Sequence, residues 1–264
     1  MDDKLMVDNL SLAVYVITIF LGLPSNILIL YIFFKEARNR LTPNLIYMIN
    51  LCVSDLVFIM VLPIKLTETF LSNWTLPQIL CPLYNLLHYS TIYASVCFLS
   101  AVSAGRYLSA AFPIKYKIYK KPMYSCLICV VLWAIVIFHV AFVFLVETTQ
   151  NGSFAFFLTN QDNIWSCYEN FTVEQLSLVV PLRLELSIVL FFLPFAITLF
   201  CYLSCIRILV KSQMHVKLKR KAIRMAITTL AVFTICFSPY NISHVVGFIT
   251  HDNVWWRKWA LLLS

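Results

Sequence analysis

Apolar residues run in long blocks broken by short polar stretches, and the blocks have membrane-spanning length. They cover roughly residues 10–34, 44–69, 84–108, 124–146, 182–210 and 222–250, and another opens near residue 255. An α-helix needs about 20 mostly apolar residues to cross the hydrocarbon core, where lipid offers the backbone no hydrogen bonds. Each block therefore predicts one helix. The expected architecture is an all-α membrane protein, with six complete spans and the start of a seventh. Pro63, Pro194 and Pro239 interrupt spans two, five and six, and each removes a backbone hydrogen bond, so kinks are expected there. Kinked helices can pivot, which makes spans five and six candidates for moving parts.

Composition agrees with a lipid solvent. The 264 residues are 61% hydrophobic and 12% charged, against roughly 45–50% and 25% in soluble domains. The start, MDDKLMVDNL, is acidic, and the first apolar block continues to full span length, so a retained first helix is expected rather than a removable signal peptide. Inner loops are short and the longest soluble stretch, about 147–180, is external. A single transmembrane domain over 1–264 follows, without repeats, linkers or room for a cytoplasmic catalytic domain.

The net charge of +8 could point to nucleic acid, but its distribution does not. Lys35, Arg38 and Arg40 follow span one. Arg106, Lys115, Lys117, Lys120 and Lys121 follow span three. Arg207, Lys211, Lys217, Lys219, Arg220, Lys221 and Arg224 lie between spans five and six. Fifteen of the twenty Lys and Arg residues thus share one side. Basic loops stay cytoplasmic, which predicts an external N-terminus in a multi-pass plasma-membrane protein. The opposite loops hold Asp2, Asp3, Asp8, Glu68, Glu147, Asp162, Glu169 and Glu174. Glycosylation sequons at Asn9, Asn73, Asn151 and Asn170 all fall on that external side; a fifth, at Asn241, lies within span six, where chance explains it.

Most of the nine cysteines lie in spans and are expected to behave as small apolar residues. Only Cys81 and Cys167 reach the outer surface. Against this apolar background an intramembrane charge is the signal. The outer half of the bundle carries Lys65, Glu68, His139, Arg183, Glu185, His244 and Arg257. Arg183 and Glu185 are two residues apart, so they point about 200° apart on a helix and cannot share a partner. Tyr240 and His244 share a face, as do Tyr89 and Tyr93. Guanidinium forks beside imidazole and phenol donors suit a carboxylate. Other roles stay open: Arg257 as an interfacial snorkelling residue, His139 in an interhelical hydrogen bond, the tyrosines as packing, and Lys65 paired with Glu68.

Several motifs, in order and at the right spacing, resemble the rhodopsin-like G-protein-coupled receptors. They are Asn26 in span one, Asn50-Leu51 with Asp55 in span two, Arg106-Tyr107 ending span three and Trp133 in span four. Pro194 with Tyr202 in span five and Cys236-Phe237-Ser238-Pro239 in span six complete the set. Within that class the chain is similar to the free fatty acid receptors, especially the short-chain branch. The stretches that carry this are 103–108 (SAGRYL), 167–172 (CYENFT), 181–186 (PLRLEL), 238–247 (SPYNISHVVG) and 255–257 (WWR).

The resemblance implies residue roles. Arg183, His244 and Arg257 match carboxylate anchors. Tyr89, His139 and Tyr240 match residues lining a small acyl pocket, and Glu169 an acid tied to chain-length selectivity. Cys81 and Cys167 match the family disulfide, as their oxidising compartment also favours. Asp55, Asn26 and Ser95 match neighbours of an allosteric sodium ion, with a neutral Asp55 carboxyl as the alternative. Val96, Pro194, Phe233 and Phe237 occupy the switch region. Arg106, Tyr107, Ile114 and Tyr202 occupy the G-protein interface. Implied partners are a small carboxylic acid, heterotrimeric G proteins of the Gi/o and Gq classes, membrane lipids and, as a further candidate, arrestin.

Three departures from the pattern stand out. Gly105 replaces the acid before Arg106, Lys219 replaces an acid in span six, and Phe237 replaces a tryptophan. The chain also stops at Ser264, before the family's Asn-Pro-x-x-Tyr, so both a fragment and a non-signalling product are open. Two other functions compete. One is a medium- or long-chain acid receptor, which Gly105 favours. The other is a small-anion transporter, which the absence of an internal repeat disfavours. No paired acids, metal-spaced histidines or nucleophile dyad suggests an enzyme.

Overall fold

The computed structural model describes residues 2–119, 121–151, 158–161, 164–168, 173–212, 216–250 and 256–263. Eleven helices and one small hairpin are seen among them. Span one is built from α1 (Asp2–Ile17) and α2 (Leu23–Asn39), span two from α3 (Pro43–Leu71) and span three from α4 (Leu80–Ala111). A short helix, α5 (Pro113–Tyr119), precedes α6 (Pro122–Asn151), which is span four. Strands β1 (Leu158–Gln161) and β2 (Ile164–Cys167) pair antiparallel in the outer loop, with Leu158 opposite Cys167. Span five is α7 (Val173–Ser187) with α8 (Leu193–Lys211); span six is α9 (Val216–Val232) with α10 (Ser238–Thr250). The last, α11 (Arg257–Leu263), begins a seventh. Six of these segments are long and apolar enough to cross a membrane.

The bundle forms around α4. Of the residues in the most apolar window of that helix 72% are buried, whereas none is fully buried in the corresponding window of span one. Because α4 is surrounded, its polar residues need internal partners. Thr91 donates to the His88 carbonyl at 2.8 Å, Ser103 to Ser100 at 2.7 Å, and Ser100 reaches across to the Pro194 carbonyl at 3.3 Å. Local signals set the ends of α3. Thr42 accepts the Leu45 amide at 3.3 Å with Pro43 in the first turn, and Ser72 closes the helix in the left-handed region at φ 51°.

Prolines act here through wide π turns. Thr18–Gly22, Ile188–Phe192 and Phe233–Phe237 each end two residues before a proline, namely Pro24, Pro194 and Pro239. A proline lacks the amide that would serve the carbonyl four residues back, and its ring crowds that carbonyl. A π turn widens the helix at that point. In spans five and six the regular helix is thus interrupted just before the expected prolines. Span one has the same device unforeseen, while Pro63 is carried inside the continuous helix α3.

Two sequence expectations need correction. The helix of span five starts at Val173 rather than near 182, and its membrane-length segment at Leu176. The inner linker between spans five and six is also shorter, since α8 runs to Lys211 and α9 resumes at Val216. The basic residues placed there in a turn are largely on helix.

Candidate ligand-binding site

The outer half of the bundle closes around one buried cation. Arg183, on α7, is only 6% exposed, and its guanidinium lies 5.0 Å from the ring centre of Tyr168. Its charge acts on Tyr93, Tyr240 and His244, all at most 4% exposed. Tyr240 and His244 are one helical turn apart on α10 and meet edge to face at 4.5 Å. Tyr240 and Tyr89 stack near parallel with ring centres 6.5 Å apart, and Tyr89 also packs on Tyr168 at 5.8 Å. Spans three, five and six and the outer loop therefore converge on Arg183. A guanidinium lined by phenols and an imidazole can take an anion by charge-assisted hydrogen bonds with little desolvation left to pay at binding.

Tyr168 is delivered by the outer hairpin. The Cys81–Cys167 disulfide pins β2 to the top of α4, and Tyr168 follows directly in the left-handed region at φ 60°. For a bulky residue this is a strained backbone, of the kind that concentrates at functional sites. The hairpin is tied to α3 as well. The Trp74 amide donates to the Trp165 carbonyl at 2.8 Å, and the Asn73 side-chain oxygen accepts from the Trp165 amide at 2.8 Å. Glu68, buried, accepts the Cys167 amide at 2.7 Å and pairs with Lys65 at 2.9 Å.

His139 sits apart from this cluster. Its Nδ1 lies 2.8 Å from a carboxylate oxygen of Glu185, joining α6 to α7 at a partly exposed seam. The interhelical role left open by the sequence is the one made here. Arg183 and Glu185 do face different neighbours, as their spacing requires. The Arg257 side chain, Glu169 and Asn170 lie outside the described residues; Arg257 itself opens α11. Asn151 ends α6, its side chain likewise outside description, and Asn9 is exposed on α1.

Deeper in the bundle a cavity of about 80 Å³ is lined by Asp55, Phe58, Thr91, Ile92, Ser95 and Phe237. Ser95 approaches Asp55 at 3.4 Å and Ser54 at 3.2 Å. Asn26 does not join them: its amide nitrogen donates to the Gly22 carbonyl, and its oxygen takes the Cys52 thiol at 3.5 Å. Beside the cavity, Phe233 is fully buried between Phe191, Phe195 and Phe237 at 5.3–5.8 Å, near buried Val96 and Pro194.

At the inner end Arg106 donates to the Tyr202 hydroxyl at 3.3 Å. Gly105 faces Asn44, whose side-chain oxygen would lie 2.5 Å from an added Cβ. Tyr107 packs on Phe112 and Phe200, and Ile114, on α5, is 78% exposed. Burial raises the Tyr116 phenol pKa, with Tyr47 adding to it, so this α5 hydroxyl stays neutral. Lys219 reaches back across the linker and donates to the carbonyls of Val210 at 2.6 Å and Ser212 at 3.4 Å.

The chain matches the sequence profile of the 7 transmembrane receptor (rhodopsin family) over residues 25–263. Mouse free fatty acid receptor 2 is 38% identical over 264 residues, covering 97% of this chain and 77% of the relative. Mouse free fatty acid receptor 1 is 40% identical over 263 residues, 96% and 86% respectively, and mouse free fatty acid receptor 3 is 36% identical over 256 residues, 97% and 78%. The chain belongs to the free fatty acid receptors of the rhodopsin family. It is a multi-pass membrane receptor and not an enzyme, and the transporter alternative is set aside. Membership in this class implies a small-molecule ligand and coupling to a heterotrimeric G protein. Sequence reasoning missed Tyr168, Glu68's bond to the hairpin, and Phe191 and Phe195. The signal for Tyr168 was present: whatever follows a bridged cysteine is carried to the top of span three.

Proposed function

We propose that this receptor is activated by short-chain fatty acids, whose carboxylate docks on Arg183, with His244 and Arg257 completing the anchor. The observation that carries this reading is a guanidinium buried to 6% among Tyr168, Tyr93, Tyr240 and His244. Tyr89 and Tyr240 shape the acyl pocket; His139 bears on it only through Glu185, and Glu169 is the proposed determinant of chain length. Four large phenols crowd the anchor, which favours acids of a few carbons. A medium- or long-chain ligand is the second reading, favoured by the 40% identity to mouse free fatty acid receptor 1. A series of linear acids from two to twelve carbons, read by G-protein activation, separates the two: potency peaking at two to four carbons is expected. Arg183→Ala should raise the half-maximal concentration at least about a hundredfold at unchanged surface level, since a desolvated charge pair is lost. An unchanged response would remove the anchor. Methyl esters, which lack the negative head, should be inactive.

The rest of the site fits a signalling bundle of one domain, with its N-terminus outside the plasma membrane. Val96, Pro194, Phe233 and Phe237 form the repacking core between pocket and inner face. Arg106, Tyr107, Tyr202 and the exposed Ile114 meet the G protein, of the Gi/o or Gq class, and arrestin afterwards. The inner basic residues also suit anionic headgroups of membrane lipids. An allosteric sodium ion would be held by Asp55 and Ser95, with space in the adjoining cavity for water ligands, and would supply a fixed positive charge there. Asn26 is turned away from that pair. Asn9, Asn73, Asn151 and Asn170 are the proposed glycosylation sites.

A further inference from the structure

We infer that Glu68 is a positioning residue for ligand recognition: its bond to the Cys167 amide fixes the outer hairpin so that Tyr168 is held against Arg183. The inference rests on the reading of Arg183 as the carboxylate anchor.

Four contacts form a continuous chain. Lys65 donates to one carboxylate oxygen of Glu68 at 2.9 Å. The other oxygen accepts the Cys167 amide at 2.7 Å. Cys167 is bonded to Cys81, and the next residue, Tyr168, lies under the Arg183 guanidinium at 5.0 Å and against Tyr89 at 5.8 Å. All the links after Lys65 are buried, with Glu68 8%, Cys167 2%, Tyr168 5% and Arg183 6% exposed.

The physics gives Glu68 more to do than pack. The disulfide holds the Cys167 sulfur and the pairing with Leu158 holds its strand, but neither ties its backbone to α3. The hydrogen bond from the Cys167 amide to the buried Glu68 carboxylate does, and such charge-assisted bonds are the strong ones. It acts one residue from Tyr168, whose left-handed backbone at φ 60° relaxes unless its surroundings hold it. The rim bonds at Asn73 and Trp74 hold the hairpin edge, but both lie at Trp165, two residues further from Tyr168 than Cys167 is. Glu68 is thus the tie nearest the ring that faces the anchor. Among the described residues its side chain bonds to Lys65 and the Cys167 amide, so its influence passes through the hairpin.

Two substitutions separate the acceptor from the charge. Glu68→Gln keeps an oxygen for the Cys167 amide while losing the ion pair with Lys65; Glu68→Leu keeps bulk and loses the acceptor. The receptor is expressed in cells, surface level is measured by antibody, and propionate is the agonist. Glu68→Leu should raise the half-maximal concentration about tenfold with basal and maximal signalling unchanged, whereas Glu68→Gln should stay within about threefold. On a Tyr168→Leu background, Glu68→Leu should add less than about twofold. In the purified receptor, amide exchange of the 164–168 segment should quicken in Glu68→Leu and not in Glu68→Gln. Unchanged exchange in Glu68→Leu overturns the inference, and so does damage by Glu68→Gln equal to that by Glu68→Leu, or full additivity with Tyr168→Leu. The anchor reading fails separately, by a preserved propionate response in Arg183→Ala; the exchange measurement still decides the role of Glu68 in that case.

Discussion

Arg183 is one of the few charges this bundle buries, and the residues around it are chosen for polarity at their tips and apolar bulk elsewhere. Tyr89, Tyr93, Tyr168 and Tyr240 each bury a ring and keep a hydroxyl, which lets an apolar site still offer hydrogen bonds. Lysine at 183 would keep the charge and lose the planar fork, so Arg183→Lys should weaken propionate potency by tenfold or more in the same activation assay. A second residue-scale effect belongs to Gly105. With no acid beside it, Arg106 is tied only to Tyr202 among the described residues. Restoring an acid as Gly105→Glu should lower ligand-independent nucleotide exchange on the G protein. The new side chain must displace the Asn44 amide, the rotatable end of its side chain, so Gly105→Ala serves as the steric control and should leave basal exchange unchanged. Equal basal activity in all three would dismiss the idea that the missing acid matters.

At the scale of elements, spans five and six are the jointed ones. Each carries a π turn just before its proline, and the two turns meet through Phe191 and Phe233 at 5.8 Å. A shift of packing there can be passed to both inner halves, because close-packed aromatics move between discrete arrangements rather than deforming smoothly. The inner ends are also fastened to one another. Lys219 caps the last carbonyls of α8, where the helix dipole favours a cation. Lys219 stands where the family pattern has an acid, and in this fold it makes a tie of its own to the end of α8. Lys219→Met should release α9 and raise basal signalling about two- to fivefold, the size of a terminal dipole interaction. Basal signalling at the parent level would show that the tether does not restrain span six.

For the molecule as a whole, charge asymmetry and the disulfide set orientation and the outer surface. Fifteen cations fall in the segments that the charge pattern predicts to be cytoplasmic, and Asp8, Asn9 and Glu68 in those it predicts to be external. An epitope placed before Met1 should be reached by antibody on intact cells, and Asn9→Gln should reduce the mobility shift produced by glycosidase. An epitope seen only after permeabilisation would reverse the orientation. Cys81→Ser should remove the hairpin from the top of α4 and, with it, Tyr168 from Arg183; loss of propionate binding is expected even where surface delivery survives.

The spans, and Arg183 as a charge held within the bundle, were legible in the chain itself, because lipid imposes a length on every apolar helix and a heavy penalty on every buried charge. The same logic identified Tyr240 with His244, since residues four apart share a helix face. What the chain could not reveal was which loop atom meets which helix. Glu68 looked like a partner for Lys65 alone, and it is; its second oxygen, however, bonds an amide ninety-nine residues away. His139 could have faced the ligand or a neighbouring helix, and only the packing of α6 on α7 brought it to Glu185. Periodicity is a local property, so sequence could determine each helix and its faces. The pairing of Glu68 with the hairpin, of Tyr168 with Arg183 and of Lys219 with α8 depends on how helices and the disulfide-held loop assemble, which no local pattern encodes.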